Sequence, residues 1–289
     1  MNTIHLDLLD CEVTYVGKRF RTRAVTAGTG EPLVLLHGIG GHAEAYSRNL
    51  ARLSQVRRAI AIDFVWHGRS ANPPFVGESI PTYAAQVLDV LDHYGYDSAD
   101  IEGESLGGWV GLWLAKNHPD RVRKLILNTS AGVIYADHAT PGDVATAQAA
   151  LRDRSLKVLA DPSEANVRAR LEWLMASPDR VTDELVALRQ ALYRDPATNA
   201  ALKEVFSHRF SEIGVTQFHL HEPDLAEVKA QTLVLWSDKN PGHGPELGER
   251  LASLLPDARY AMISDAAHWP QWEQPEEHDR LVTAFLTGA

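Results

Sequence analysis

The stretch Gly103-Glu104-Ser105-Leu106-Gly107 fits the pattern G-x-S-x-G. It suits a serine held on a tight strand-to-helix bend, where glycine two residues before and two after leaves room for the neighbouring chain. Serine is a poor nucleophile at neutral pH and needs an imidazole to take its proton. Of 13 histidines, His268 is the best placed, in Ala266-Ala267-His268-Trp269, after the apolar run Tyr260 to Ile263 and before a closing helix. An ordinary small-residue turn is the bland alternative for the two glycines.

A third group should orient that imidazole and stabilise its charged form. Asp238 is the only carboxylate in the turn Ser237-Asp238-Lys239-Asn240-Pro241, which follows the apolar run Thr232 to Trp236. A turn-forming aspartate is the competing reading, and Asn240 is the competing position. Two backbone N–H groups should face the negative charge that develops on a substrate oxygen. Leu106, at the start of a helix, offers one, and the loop His37-Gly38-Ile39-Gly40-Gly41 offers the second from Ile39. His37 reads as a structural hydrogen-bonder in that loop.

The elements that must position these groups alternate. Apolar runs at Leu33 to Leu36, Ala59 to Ile62, Ala99 to Ile101, Val122 to Leu127, Thr232 to Trp236 and Tyr260 to Ile263 read as buried strands. Helical spacing marks Pro81 to Tyr94, Leu106 to Asn117, Glu246 to Leu255 and Pro275 to Leu286. Strand-helix alternation with continuous apolar strands predicts a mostly parallel sheet covered on both faces. Cys11 to Ala27 alternates and predicts an edge hairpin. Between about Tyr135 and Glu222 the strand runs stop, and polar helical segments broken at Pro141, Pro162, Pro178, Pro196 and Pro223 predict a helical lid. Trp109 and Trp113 read as core, Asp63 as support for the loop through Arg69, and Trp66 as a narrowing of the entrance.

With 45% hydrophobic residues in 289, the chain has enough apolar material for one large core with an elaboration. A net charge of −10 with no Lys/Arg cluster argues against nucleic acid and anionic membranes as partners. The opening residues Met1 to Asp7 lack a basic segment leading into an apolar stretch, and Cys11 is the single cysteine. The expectation is an unexported, cytoplasmic protein acting on a small molecule, without metal or cofactor, and with a homodimer left open.

Over essentially its whole length the chain resembles the α/β-hydrolase superfamily. The residues that carry the resemblance are Pro32-Leu33-Val34-Leu35-Leu36-His37-Gly38, Asp63 through His67-Gly68-Arg69-Ser70, the serine elbow, and His118-Pro119-Asp120-Arg121-Val122. The resemblance implies an eight-stranded, mostly parallel sheet, with a core formed by 1–134 and 223–289 and a lid formed by 135–222. Within the superfamily the chain is similar to the meta-cleavage-product hydrolases, which split a C–C bond in vinylogous 1,5-diketo acids made by extradiol ring opening. His268-Trp269 followed by Gln271 and Glu273 looks like that family's H-W-x-Q-x-E, in which the tryptophan lines the substrate pocket. Arg189 looks like the lid arginine that grips the substrate carboxylate, as a guanidinium can with two parallel hydrogen bonds.

Two positions depart from that family. Its acid aligns with Asn240, so either Asp238 substitutes from two residues away or Asn240 orients His268 without charge. It also tends to place Asn where this chain has Glu104, a carboxylate that would repel an anionic substrate unless protonated or paired. The leading expectation is a serine hydrolase of C–C bonds next to a ketone. Carboxylester or lactone hydrolysis with the same triad is the first alternative, and a ligand-binding protein with weak catalysis the second.

Overall fold

A computed structural model describes residues 3–135, 142–214 and 216–289; Met1, Asn2 and Pro141 lie outside the described residues. The strands are β1 (Glu12–Val16), β2 (Thr22–Ala27), β3 (Pro32–Leu36), β4 (Arg58–Ile62), β5 (Ala99–Glu104), β6 (Val122–Asn128), β7 (Val133–Ile134), β8 (Leu220–His221), β9 (Gln231–Ser237) and β10 (Ala258–Ile263). Eight of them form one sheet in the order β1-β2-β4-β3-β5-β6-β9-β10. The pairs β1–β2 and β2–β4 are antiparallel and the others parallel. This is the mostly parallel α/β sheet expected, with the hairpin at one edge.

Residues of β3 and β5 are buried along their full length, because helices cover both faces. Strand order reverses around β3, whose neighbours are β4 on one side and β5 on the other. In such sheets the crevice beyond the strands' carboxyl ends is the place where ligands bind. The loops leaving β3, β5, β9 and β10 carry His37–Gly41, Ser105, Asp238–Asn240 and His268 respectively. Sequence order has thus been turned into spatial convergence.

One strand departs from its expected burial. The run Tyr260 to Ile263 reads as fully buried, yet Tyr260 and Ala261 are half-buried and Met262 is exposed. β10 is the sheet's last strand, pairs only with β9, and so keeps an open flank.

Beyond β6 the chain leaves the sheet. β7 and β8 pair in parallel at the neck of the excursion. Between them run the helices Gly142–Ala160, Glu164–Leu174, Asp183–Arg194 and Pro196–Arg209. Two of these have side-chain caps: Thr182 Oγ1 accepts from Leu185 N (3.2 Å), and Asp195 Oδ1 accepts from Thr198 N (2.9 Å) just before Pro196. Among the described residues no helix is long and apolar enough to cross a membrane.

Candidate active site

Ser105 has φ 51° and ψ −109°, a conformation that a side-chain-bearing residue adopts only when its surroundings impose it. Its N–H donates to Asn128 O (3.0 Å), and its carbonyl accepts from Ala131 N and Trp109 N (3.1 Å each). A Cβ on Gly103 would lie 2.1 Å from the Gly107 carbonyl carbon, and one on Gly107 would lie 2.1 Å from Leu36 O. Both glycines are therefore sterically required. The helix Leu106–Asn117 starts immediately after the serine, so the Leu106 N–H belongs to the first-turn donors that lack an intrahelical acceptor.

His268 is tied to the same strand ends. Its carbonyl accepts from Thr129 Oγ1 (2.9 Å), and Thr129 directly follows the residue that holds Ser105. Glu273 accepts from Ala267 N (2.8 Å) and from Ala176 N of the inserted segment (2.7 Å), which fixes the histidine loop against the helices. His268 Nδ1 lies 2.7 Å from Asn240 Oδ1. Asp238 is elsewhere: it is exposed, and its Oδ1 accepts from Ala266 N at 3.2 Å. The expected pairing of Asp238 with the imidazole is therefore corrected to Asn240. The turn's direction explains this, since Asn240 is buried while Asp238 faces water and closes the turn.

Glu104 is fully buried, and its Oε1 lies 3.2 Å from His268 Nε2. A Cβ placed on Gly38 would meet its carboxyl oxygen at 2.3 Å, so the carboxyl rests on the loop that carries Ile39. Burial pushes its pKa up to about 8, against the opposing pull of the Gly38 N–H and of the Arg189 and Arg170 charges. Burial, together with the nearby His243 and Arg170, pulls His268 down to about 3. At neutral pH the pair is a carboxylic acid beside a neutral imidazole.

The loop after β3 is held from both sides. Beneath it, His37 Nε2 accepts from Phe64 N (3.0 Å), so its Nδ1–H donates to Gly38 O (2.7 Å), in keeping with a structural role. Asp63 accepts from Ala43 N (2.7 Å) and Arg69 N (2.8 Å) and pairs with Arg23 (3.2 Å). Above it, Arg170 Nη2 donates to Ile39 O (3.0 Å), Tyr193 Oη donates to Gly40 O (2.9 Å), and Arg189 Nη1 donates to the same Gly40 carbonyl.

Arg189 is thus buried, not solvated, and one arm of its guanidinium is committed to the protein. Among the described residues its Nε and Nη2, and Nη1 of Arg170, have no hydrogen-bond partner. The Trp269 ring lies 5.4 Å from the Arg189 guanidinium carbon. Trp66 does not stand at an entrance, being buried against Phe75 and Tyr83.

Arg170, Tyr193 and Thr129 are absent from the sequence reading. The arginine left a signal: Val167, Arg170, Leu171 and Leu174 share one buried helical face, and a charge within such a stripe marks a buried charge. Thr129, at φ 42°, left none. Among the described residues no group of three or more His, Cys, Asp or Glu is placed to hold a metal ion.

A strained serine at the end of a central strand, an imidazole on a late loop and a helical excursion after β6 define an α/β-hydrolase. Residues 31–275 match the alpha/beta hydrolase fold family, and the chain belongs to it. It is 31% identical over 272 residues to a 2-hydroxymuconate semialdehyde hydrolase of Pseudomonas putida, covering 93% of this chain and 92% of the relative. It is 28% identical over 268 residues to a 2-hydroxy-6-oxo-2,4-heptadienoate hydrolase, also of Pseudomonas putida, covering 90% and 91%. The fold superposes on the 2-hydroxy-6-oxo-6-phenylhexa-2,4-dienoate hydrolase of Rhodococcus sp. strain RHA1 with a TM-score of 0.83 at 22% identity, covering 96% of this chain and 99% of the other.

Proposed function

We propose that the chain hydrolyses a C–C bond next to a ketone in an anionic dienoate of the kind left by extradiol ring opening. The observation that carries this is the guanidinium of Arg189, buried under Trp269 with Nε and Nη2 unpartnered. A buried charge with free N–H groups is costly unless a ligand satisfies it, and a carboxylate offers matching acceptors. The names of the relatives support the same substrate class.

In this reading the substrate first tautomerises to its ketone. Ser105, or a water it helps to position, then attacks the distant carbonyl while His268 takes and returns the proton. The N–H groups of Leu106 and Ile39 face the oxyanion. The C–C bond breaks to give a carboxylic acid and a dienol. In its acid form Glu104 does not repel an anionic substrate at pH 7, and it becomes a carboxylate only above its midpoint near pH 8. The helices between β7 and β8 act as a lid, and the single cysteine is in keeping with work in the cytoplasm.

The test is spectrophotometric. A 2-hydroxy-6-oxo-dienoate should lose its yellow absorbance with the protein and not with Ser105→Ala. Turnover of p-nitrophenyl acetate with no bleaching of the dienoate would assign an esterase instead.

A further inference from the structure

When His268 takes the serine proton, its imidazolium finds only the uncharged amide of Asn240 on the Nδ1 side. On the other side of the ring stands a carboxyl group, Glu104, at 3.2 Å from Nε2. We propose that Glu104 supplies from the Nε2 side the negative charge that a triad aspartate supplies from the Nδ1 side, so that Ser105, His268 and Glu104 form the catalytic group and Asn240 is a neutral positioning residue. This rests on Ser105 and His268 as nucleophile and base, and not on the dienoate as substrate.

Three features carry it. The Glu104–His268 contact is close but lacks hydrogen-bond alignment, and among the described residues the Gly38 N–H is the one donor that bears on the Glu104 carboxyl. The carboxyl is thus near enough to act by charge without taking up a hydrogen bond of Nε2. Imidazolium charge is shared between both ring nitrogens, so a carboxylate beside either one stabilises it, and a water-poor site strengthens the effect. Glu104 also adjoins Ser105 in a strand end whose residues are all buried, so its carboxyl is shielded from bulk water.

The groups facing Glu104 are His268, the Gly38 N–H from the loop after β3, Arg189 and Arg170 from the inserted helices, and the Tyr46 phenol, itself held well above its usual range by burial with help from Glu102 and Glu104. With Glu104 titrating at about 8, the imidazolium lacks a counter-charge below that pH and gains one above it. Serine reactivity should therefore climb through pH 8, well above the ordinary histidine range.

A fluorophosphonate reads this without any dienoate. The Ser105 oxygen bonds to phosphorus, the P–F bond breaks, fluoride leaves, and the hydroxyl proton passes to His268 Nε2. Labelling rates are measured from pH 6 to 9.5 on the full chain and on Glu104→Gln, Asn240→Asp and the double variant, with thermal melts confirming folding. Above pH 8 Glu104→Gln should label about 100-fold more slowly, while below it the two match and the rise near pH 8 is lost; Asn240→Asp in that background should restore at least about tenfold.

Unchanged labelling in Glu104→Gln above pH 8, or no rescue by Asn240→Asp, overturns the assignment. If Glu104→Gln fails to fold, the unaltered chain decides, because a profile without a midpoint near 8 overturns it as well. Labelling without dienoate cleavage removes the C–C reading and leaves Glu104 in place; no labelling of the unaltered chain removes both.

Discussion

His268 Nδ1 and Asn240 Oδ1 stand 2.7 Å apart, and this contact decides which ring nitrogen carries the proton. The Asn240 amide nitrogen donates to His243 O at 3.1 Å, so its oxygen must face the ring. The ring therefore donates from Nδ1 and keeps its lone pair on Nε2, toward the serine elbow.

Asn240→Ala should lower kcat/KM by about 100-fold or more, because an unheld imidazole samples the wrong tautomer and orientation. Asp238→Asn, which alters only the exposed cap on Ala266 N, should stay within about threefold of the unaltered chain. Steady-state kinetics of the two variants side by side separate the positions.

Ser105→Gly should abolish turnover and raise the denaturant midpoint, with about 1 kcal/mol gained from relief of the positive φ. Gly107→Ala should do the reverse to stability, since its new methyl would meet Leu36 O at 2.1 Å. Urea titrations followed by tryptophan fluorescence check both.

Arg189→Met should raise KM for an anionic dienoate by about 10- to 100-fold, the scale of a charge-assisted hydrogen bond, and leave KM for p-nitrophenyl acetate nearly unchanged. Arg170→Met removes the donor to Ile39 O and should lower kcat on both substrates alike. A KM shift common to both substrates in Arg189→Met would count against carboxylate binding.

Away from the site, His278 is buried between Glu102 Oε1 (2.8 Å) and Asp279 Oδ1 (3.0 Å). Burial alone would lower its pKa, but the two carboxylates outweigh that and push it up to about 10. A raised histidine contributes its full stability below the unfolded value of 6.5 and loses it as pH rises through 10. His278→Gln should therefore cost about 3–5 kcal/mol near pH 6 and progressively less toward pH 10, read from urea midpoints across that range.

The strands, the elbow and the histidine loop were legible because each rests on local pattern: apolar runs bounded by turns, and glycines at fixed offsets. Asn240 against Asp238 was not, because two residues in one short turn differ only in which faces inward, and packing decides that. Arg189 was found by its likeness to a lid arginine, but its bond to Gly40 O depends on how the inserted helices dock, which no periodicity encodes. Glu104 stood in plain view, yet its acid form depends on how deeply the fold buries it.

Arg170, Tyr193 and Arg189 fasten the carbonyls of Ile39 and Gly40, so the inserted helices and the loop after β3 are one mechanical unit. Were those helices to swing away as the proposed lid, they would also unfasten the backbone proposed to bear the substrate's charge. On that proposal an open doorway and a finished cradle exclude each other, and the chemistry would assemble only around a guest already inside.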